Sequence, residues 1–535
     1  MFLLFGCVFG AALTAVAAGA QTLAPVPPMG WNDWAHYECN ISADTIVGNA
    51  RALVKTGLAA HGYNTVTIDD CWMQKTRDAQ GNLQPDLSRF PHGIKPVADA
   101  VHALGLKFGI YEDSGYETCG KYAGSGVPNG GGPDHFLQDA KLFASWGVDY
   151  LKLDGCNLYV PPGGTQEGVY RKAYAAQSAA LKAVGRPIIF SESAPAYFQG
   201  TPDWYVVLAW VRGDGQLWRE GTDIEVYNPK NPGRERFSSV LWNYAYNLPL
   251  GRFQKPGNWN DADFIIGGDS GMSAAESRSQ LALWSMMSAP LILSSDLGKL
   301  SSQSIETLSN KAVIAIDQDA LGQEATLVRR SATTDLLFKR LSGGDYAVAL
   351  LNRGTSPVQA DVHPPELGFA ANGCHLDGQD LWSGKSGALQ ATVAAHDTVI
   401  WRVHAGGGCG SPSRTGTVTL TENTEKHDHG FEGYTRCLSA AGAAEACTGA
   451  AAESWTVTRD GALRSGDRCL TAASGKTAMQ SCGSGKGQQW NYTLAGNLID
   501  ADHQCLTGGF GASGSALRVE SCGHNRPDQI WSLPN

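Results

Sequence analysis

The sequence lacks several features that would point to particular classes of function. It has no block of like charges, and its formal net charge of −10 is spread over 535 residues, which argues against nucleic acid or a membrane surface as a partner. It contains no Cys-x-x-Cys and no His-Glu-x-x-His motif, so neither a metal site nor another cofactor is predicted. Beyond residue 20, no run reaches the ~18 uninterrupted apolar residues of a membrane-spanning helix. A neutral ligand is the interpretation that fits these absences.

The first twenty residues carry no charge and differ from the rest of the chain. An apolar run from Met1 to Val16 precedes Ala18-Gly19-Ala20, a small-x-small pattern that suits signal-peptidase cleavage before Gln21. Because no Lys or Arg stands near Met1, an uncleaved anchor remains the alternative. We expect residues 1–20 to be a signal peptide and the protein to be secreted or periplasmic.

The length predicts several domains, and the sequence pattern changes along the chain. Up to about Gly322, short apolar runs alternate with amphipathic stretches, which predicts an α/β fold of the (β/α)8 TIM barrel type, with an open doubly wound sheet as the alternative. β-rich pieces around the turn signal Gly343-Gly344 then predict an antiparallel β-sandwich. A Gly/Ser/Pro-rich linker follows. The predicted boundaries are 24–323 for the barrel, 324–404 for the sandwich, 405–415 for the linker and 416–535 for a last domain.

The last domain repeats one pattern three times. Cys437, Cys469 and Cys505 are each followed by Leu and then Ser or Thr, later by a second cysteine, and then by a tryptophan. Three such units predict threefold pseudo-symmetry. The pattern resembles the ricin B-type β-trefoil lectin, whose Gln-x-Trp signature stands at Gln488–Trp490 and Gln529–Trp531. Because Ser or Thr occupies the place where sugar-binding repeats carry Asp, we expect the tryptophans to serve mainly the core, and glycan binding by the trefoil is a weaker prediction than its fold.

Acidic side chains follow several predicted barrel strands. For any single one, a helix cap or a turn is the simpler explanation. Their repetition favours chemistry, because barrels place catalytic groups at the C-terminal ends of strands. These acidic residues are Asp69, Asp70, Glu112, Asp113, Asp154 and Glu192.

Two motifs have the composition that glycoside hydrolysis requires, namely one carboxylate and one carboxylic acid facing the same carbon. Strand alternation places Lys152 and Asp154 on one face, where the ammonium would hold the carboxylate ionised, as a nucleophile needs. Asp223 follows Arg219 by four residues and would be the proton donor, while Arg219 could hold a ring substituent. On the residues alone, a structural salt bridge explains either motif equally well.

Seven short motifs follow one another in a fixed order: Met29–Asn32, Ile68–Trp72, Gly109–Tyr111, Tyr150–Cys156, Arg219–Asp223, Trp259–Asp261 and Asp317–Gly322. Together they resemble glycoside hydrolase family 27, which contains α-galactosidases and α-N-acetylgalactosaminidases, across about 27–403. The resemblance implies a retaining exo-α-glycosidase that works by double displacement. Asp154 would be the nucleophile and Asp223 the acid/base.

The same resemblance implies a pocket for a terminal, galacto-configured sugar on an oligosaccharide or glycoconjugate. Asp70 and Lys152 would bind the axial 4-hydroxyl, and Lys152 also the 3-hydroxyl. Asp69 and Trp31 would bind the 6-hydroxyl, and Arg219 the 2-substituent. The other pocket residues that it implies are Tyr111, Cys119, Cys156, Tyr197 and Asp263, and Phe264 stands where family members commonly have Met. Disulfides Cys39–Cys71 and Cys119–Cys156 are implied as well, which leaves Cys374 and Cys409 as a further pair.

The loop after the fifth predicted strand bears on which sugar is bound. With Pro195 and Tyr197 setting the register, Ser193 and Ala196 stand where α-galactosidases of the family have Glu and Leu. Smaller residues leave room for a 2-acetamido group, which is the α-N-acetylgalactosaminidase pattern. A slip of one residue would bring Glu192 to the hydroxyl-binding position and restore preference for galactose.

The sequence therefore predicts hydrolysis of terminal α-linked N-acetylgalactosamine, with α-galactosidase activity as the alternative. A β-L-arabinopyranosidase is less favoured, because both Asp69 and Asp70 are present. A carbohydrate-binding protein without activity is the alternative outside enzymes, although a pure binder has no need of both Asp154 and Asp223.

Overall fold

The computed structural model describes residues 22–130, 134–233, 235–422, 435–510, 515–524 and 526–535. The predicted signal peptide at 1–20 lies outside the described residues. Within them, no helix combines the length and the apolar character needed to cross a membrane.

Eight parallel strands form the first domain, in the order β7-β6-β5-β4-β3-β2-β1-β8. The sheet closes beyond β7, where Ile265 pairs with Leu293 and its N–H donates to the Ile292 carbonyl at 2.7 Å. The predicted barrel is confirmed, since this order has no reversal of the kind that marks a doubly wound sheet. The strands are β1 Met29–Asn32, β2 Thr65–Ile68, β3 Lys107–Asp113, β4 Tyr150–Asp154, β5 Ile189–Glu192, β6 Leu217–Arg219, β7 Trp259–Asp261 and β8 Leu291–Leu293.

Helices alternate with these strands and cover the outside of the barrel. Five of the helices begin directly after a side chain whose oxygen accepts a backbone N–H of the first turn. These capping residues are Ser42, Thr165, Ser273, Ser301 and Asn310. The helices are α1 Trp34–Tyr37, α2 Ala43–Lys55, α3 Lys95–Ala103, α4 Phe136–Trp146, α5 Gln166–Ala183, α6 Trp204–Val211, α7 Arg236–Asn247, α8 Ala274–Met287, α9 Ser302–Leu308 and α10 Lys311–Asp317.

Strand register brings acidic residues together at one rim of the barrel. Asp113 at the end of β3 is the register partner of Asp154 at the end of β4, and Lys152 is paired with Ser191 on β5. Because all the strands are parallel, their C-terminal ends meet at the same rim. The side chains that follow them face one common space.

An antiparallel β-sandwich packs beside the barrel, as predicted. Its β10–β11 hairpin turns at Gly344, whose φ of +85° favours glycine. Tyr244 of α7 donates its hydroxyl to Asp335 of the sandwich at 2.9 Å, which ties the two domains together. The strands are β9 Thr326–Arg330, β10 Thr334–Arg340, β11 Tyr346–Asn352, β12 Val358–Asp361, β13 Leu376–Asp380, β14 Ser386–Gly387, β15 Gln390–Val393 and β16 Thr398–Ala405.

Short antiparallel strands make up the C-terminal β-trefoil, which is also confirmed. It contacts the barrel through Arg252, whose guanidinium donates to the carbonyls of Leu494 and Ala495 at 2.8 and 3.1 Å. The strands are β17 Arg414–Thr417, β18 Thr419–Thr421, β19 Thr435–Ser439, β20 Ala443–Ala446, β21 Ser454–Val457, β22 Leu463–Ser465, β23 Arg468–Ala473, β24 Lys476–Ser481, β25 Asn491–Tyr492, β26 Leu498–Ile499, β27 Gln504–Thr507, β28 Ser515–Ala516, β29 Arg518–Ser521 and β30 Trp531–Ser532.

The signature residues of the trefoil repeats have a structural role. The buried indoles of Trp455, Trp490 and Trp531 each donate to the carbonyl of the Leu in the Cys-Leu pair of their own repeat, at 2.7, 3.1 and 2.9 Å. Gln488 donates to the hydroxyl of Thr471 at 3.0 Å, and the third repeat has the same bond between its Gln and Thr at 2.9 Å. The Thr that stands in place of Asp is thus used inside the fold.

Six disulfides connect twelve of the thirteen cysteines. All three pairs expected in the first two domains are present, and each trefoil repeat has its own bridge. Cys409, within the predicted linker, is buried and bonded to Cys374, so this segment is attached to the sandwich. The pairs are Cys39–Cys71, Cys119–Cys156, Cys374–Cys409, Cys437–Cys447, Cys469–Cys482 and Cys505–Cys522.

Candidate active site

A cavity of about 570 Å³ opens at the C-terminal rim of the barrel, between the loops that follow β3, β4, β5 and β6. Eight of the fourteen site residues predicted from the sequence line it, including both Asp154 and Asp223. The other six are buried and do not line it, and Tyr111 and Asp263 contact residues that do. The lining residues are Cys119, Asp154, Cys156, Ser193, Ala196, Tyr197, Gln199, Arg219, Gly221, Thr222 and Asp223.

Asp154 is held at the end of β4 by three hydrogen-bond donors. The Tyr111 hydroxyl lies 3.2 Å from Oδ2, the Gly155 N–H lies 3.1 Å from Oδ1, and the Tyr197 hydroxyl makes a short bond to Oδ1. Burial, and next the charge of Asp154, raise the pKa of both tyrosines, so their hydroxyls stay protonated and donate. Three donors around one carboxylate suit an anion that must keep its direction.

A second carboxyl group lies beside Asp154. Asp113 is fully buried, and its oxygens accept the N–H groups of Gly115 and Cys156 at 2.7 and 3.1 Å. Burial, and then the neighbouring Asp154, raise the pKa of Asp113 well above its usual range. Burial and the neighbouring carboxylate thus both favour the protonated form of Asp113.

Lys152 projects into the barrel from β4 and forms an ion pair with Asp69, at 2.7 Å between Nζ and Oδ2. Asn32 donates to the same oxygen at 2.7 Å, and the indole of buried Trp31 donates to the Ser295 carbonyl at 2.8 Å. The direct partner of the Lys152 ammonium is therefore Asp69 and not Asp154, whereas alternation along the strand had suggested Asp154. The ion pair lies buried in the barrel interior below the cavity. It joins β4 to the residue that follows β2, two strands that are not neighbours in the sheet.

Asp70, which directly follows Asp69, is almost fully buried. Its two oxygens accept the N–H groups of Cys71 at 2.6 Å and Gly120 at 2.7 Å. Burial raises the pKa of Asp70 to about 6, while these two bonds act in the opposite direction. The Gly120 contact joins Asp70 to the loop of Cys119, which lines the cavity.

Arg219, at the end of β6, forms ion pairs with two carboxylates. Its Nη2 lies 2.9 Å from Oδ1 of Asp223 and 3.0 Å from Oδ2 of Asp263. The Asp223 side chain is 73% exposed, whereas Asp263 is buried and has a φ of +75°. Burial raises the pKa of Asp263 to about 6, against the effect of Arg219. Of the two carboxylates, Asp223 is the one that a ligand in the cavity can reach.

The loop after β5 places Ser193 and Ala196 in the cavity wall. Glu192 points the other way, because successive residues of a strand face opposite sides. Its buried carboxyl packs against Gly215, where an added Cβ would lie 2.3 Å from Oε1, and its charged neighbours are Asp214 and Lys182. The structure thus has Ser193, and not Glu192, beside the cavity.

The geometry of the described residues contains one group of possible metal ligands, formed by Asp113, Cys119 and Cys156. Both cysteines are joined in a disulfide and so provide no thiolate. The disulfide instead forms cavity wall, with Cys156 Sγ 3.2 Å from the Tyr197 hydroxyl.

Gln199 and Thr222 also line the cavity, and neither was predicted from the sequence to be a site residue. Gln199 is fully buried, and its Oε1 accepts the Thr222 N–H at 2.8 Å and the Thr222 hydroxyl at 3.0 Å. Thr222 lies inside the Arg219–Asp223 motif but had no role assigned to it, and Gln199 belongs to no motif. The contact joins loops that follow two different strands. No periodicity or spacing in the sequence could have predicted it.

Comparison with known proteins extends over all three domains. A family model described as Alpha galactosidase A matches residues 26–319, and the Alpha galactosidase C-terminal beta sandwich domain matches 331–403. A Ricin-type beta-trefoil lectin domain matches 433–531. Alpha-galactosidase A of Aspergillus niger is 40% identical over 531 residues, which cover 96% of this chain and 92% of the fungal protein. Alpha-galactosidase of Cyamopsis tetragonoloba is 36% identical over 380 residues, 70% of this chain and 85% of the plant protein.

Solved structures give the same relationship for the barrel and sandwich. Alpha-galactosidase I from Mortierella vinacea aligns with a TM-score of 0.63 and 28% identity, over 73% of this chain and 99% of that one. Alpha-galactosidase from Saccharomyces cerevisiae with raffinose aligns with a TM-score of 0.59 and 26% identity, over 72% and 98%. The class of protein that the fold and these matches define is a glycoside hydrolase. The chain belongs to glycoside hydrolase family 27, the α-galactosidase family, and carries a ricin-type β-trefoil after the catalytic barrel and the sandwich.

Proposed function

We propose that this protein is a retaining exo-α-glycosidase that removes terminal α-linked N-acetylgalactosamine from glycoconjugates. The observation that carries the choice of sugar is that Ser193 and Ala196 line the cavity together with Arg219, while the carboxyl of Glu192 is buried on the opposite side of β5. A pocket wall of small side chains leaves space for an acetamido group next to the guanidinium. The Ala196 methyl offers an apolar contact for the acetyl methyl, and Ser193 offers a hydroxyl for its polar end.

In the proposed reaction, an Asp154 oxygen attacks C1 of the sugar as the C1–O bond to the leaving group breaks. Asp223 gives its proton to the departing oxygen. Asp223 then takes a proton from water, which attacks C1 and breaks the bond to Asp154, so the configuration at C1 is retained. The donors on Asp154 support the role of an oriented anion, and the exposure of Asp223 supports a role in contact with both leaving group and water.

The remaining assignments keep the pattern of the family. Asp70 and Lys152 would bind the 4-hydroxyl, Asp69 and Trp31 the 6-hydroxyl, and Arg219 the 2-substituent. A buried carboxylate that accepts hydroxyl donors discriminates strongly, because an epimer leaves it unpaired. Tyr111, Cys119, Cys156, Tyr197 and Asp263 complete the proposed wall. With six disulfides, the protein would act in an oxidising compartment, as a secreted or periplasmic enzyme.

The test is a comparison of kcat/KM for the p-nitrophenyl glycosides of α-N-acetylgalactosamine and α-galactose. We expect the acetamido sugar to be preferred by about tenfold or more, the effect of one well-made polar contact of ~1.4 kcal/mol. A preference for the plain galactoside would overturn this choice in favour of α-galactosidase activity. Two findings support that alternative. The relatives are named alpha-galactosidases, and the yeast enzyme was solved with raffinose.

A further inference from the structure

The side chain of Asp223 is exposed, but the backbone on both sides of it is held in place. The carbonyl of Thr222 accepts the Tyr246 hydroxyl at 3.0 Å, and the N–H of Ile224 donates to Oδ2 of Asp263 at 2.7 Å. The N–H and the hydroxyl of Thr222 both donate to Oε1 of Gln199. The residue before Asp223 is thus fixed at its N–H, its carbonyl and its side chain.

Gln199 reaches this segment from another loop. It directly follows the 3-10 turn Ala194–Phe198, which carries Ala196 and Tyr197 of the cavity wall. The approach is so close that a Cβ added at Gly221 would lie 2.2 Å from Oε1 of Gln199. A glycine at 221 is therefore part of this arrangement, since any other residue would displace the Gln199 amide.

The amide of Gln199 acts through its oxygen. Its Nε2 is buried and has no hydrogen-bond partner among the residues that the structure describes. Both donors of Thr222 converge on Oε1, which determines which end of the amide faces the loop. A side chain that keeps an acceptor at this position would keep both contacts.

We propose that Gln199 is a positioning residue for Asp223, which it serves by fixing Thr222 to the loop that carries the wall of the 2-substituent pocket. The inference rests on the proposed role of Asp223 as acid/base. Proton transfer requires the carboxyl within hydrogen-bond reach of the leaving oxygen, so a shift of its backbone weakens acid catalysis before it affects nucleophilic attack. Gln199 thereby connects the loop that carries Ser193 and Ala196 to the segment that carries the proposed proton donor, Asp223.

The test compares leaving groups. A nitrophenolate leaves with little help, whereas an alkoxide requires the proton, so loss of acid catalysis lowers the rate for a methyl glycoside far more than for a p-nitrophenyl glycoside. The ratio of the two kcat/KM values, measured with the sugar that the wild-type enzyme hydrolyses, is independent of the fraction of folded protein. We expect Gln199→Met, of similar length and without an acceptor, to change this ratio by about tenfold or more, a part of the 10²–10⁴ that acid catalysis contributes.

Three variants complete the design. Gln199→Glu keeps an acceptor oxygen and should keep the wild-type ratio within about threefold, assayed where the buried acid is neutral. Gln216→Met removes an acceptor of the same kind, from the Phe190 N–H at 2.8 Å, outside the cavity, and should leave the ratio unchanged. Thr222→Val removes one of the two donors to Gln199, so we expect a smaller change of the ratio in the same direction. This variant tests the proposal if Gln199→Met does not fold.

Asp223→Ala is the reference for the proposed function. If Asp223→Ala changes the ratio strongly and neither Gln199→Met nor Thr222→Val does, Gln199 has no positioning role and the proposed function stands. If Asp223→Ala leaves the ratio at the wild-type value, the acid/base assignment itself is overturned, and the role of Gln199 falls with it. An equal loss for both substrates in Gln199→Met would indicate a structural role and would also contradict the proposal.

Discussion

Lys152 and Asp69 form a buried ion pair across the interior of the barrel, with 2.7 Å between Nζ and Oδ2. Lys152 lies on β4 and Asp69 follows β2, so the pair spans β3. Burial opposes the charged ammonium, but Asp69 and then Asp154 outweigh it and raise the pKa of Lys152. The Lys152 ammonium therefore keeps its charge at neutral pH. Asn32 also donates to Oδ2 of Asp69, which compensates part of the desolvation of this carboxylate.

Breaking this ion pair from one side is expected to be costly. Lys152→Met leaves the Asp69 carboxylate buried without its counter-charge, which lowers the free energy of unfolding by about 3–5 kcal/mol. Adding Asp69→Asn removes that charge, so the double variant should recover most of the stability while remaining inactive. Denaturant unfolding and glycoside hydrolysis measure the two effects separately. A stable Lys152→Met protein would show that the pair has little energetic weight.

Two substitutions in the loop after β5 should change the preferred sugar. Ser193→Glu together with Ala196→Leu fills the space next to Arg219 and adds an acceptor for a 2-hydroxyl. We expect the ratio of kcat/KM for galactoside over N-acetylgalactosaminide to rise by about tenfold or more, since a buried polar group discriminates by 1–3 kcal/mol. Glu192→Gln is the matched control, because that carboxyl faces the helices and should not affect the ratio. An unchanged ratio in the double variant would remove Ser193 and Ala196 as determinants.

The stability of the protein should fall as the pH rises, in part because of Glu220. Burial, and then Asp261 and Glu324, raise the pKa of Glu220 well above its usual range, and neither carboxyl oxygen has a hydrogen-bond partner among the described residues. A carboxyl with a raised pKa in the folded state binds a proton more tightly there than in the unfolded chain. Glu220 therefore destabilises the folded state above the unfolded pKa of ~4.3. This destabilisation increases as the pH rises towards the folded pKa.

Glu220→Gln imitates the protonated acid at every pH. We expect its unfolding temperature to exceed that of the wild type at pH 7, by about 2–4 °C for each kcal/mol recovered, and to equal it at pH 4. The exposed Glu306→Gln serves as control and should have no effect at either pH. The same shift at pH 4 and pH 7 would contradict a contribution from the charge of Glu220.

Much of the fold could be predicted because it repeats. The run Tyr150–Asp154 is one of several apolar strands with a polar end, and eight such units close into a barrel with those ends at one rim. The three Cys-Leu units of the last domain likewise indicated the trefoil. In both cases the same local pattern occurs several times, so that a misinterpretation of one unit does not affect the conclusion.

Contacts between residues that are far apart in the sequence could not be predicted in this way. The ion pair of Lys152 with Asp69, in place of Asp154, depends on the width of the barrel interior, which no local pattern contains. Gln199 and Thr222 meet only because the loops after β5 and β6 fold over the same cavity. The Thr residues of the trefoil repeats were recognised as a departure from Asp, but their bonds to the Gln of the signature became visible only in three dimensions.

Trapping of the covalent intermediate tests the central claim most directly. An activated 5-fluoro derivative of the preferred α-glycoside should react with the enzyme and leave a sugar bound to one residue. Fluorine slows both formation and hydrolysis of the intermediate, and the reactive leaving group restores only the rate of formation, so the intermediate accumulates. Peptide mapping by mass spectrometry is expected to find the label on Asp154 in the wild type and no label in Asp154→Ala. A label on any other residue, or a first product with inverted configuration at C1, would contradict the assignment of Asp154 and Asp223.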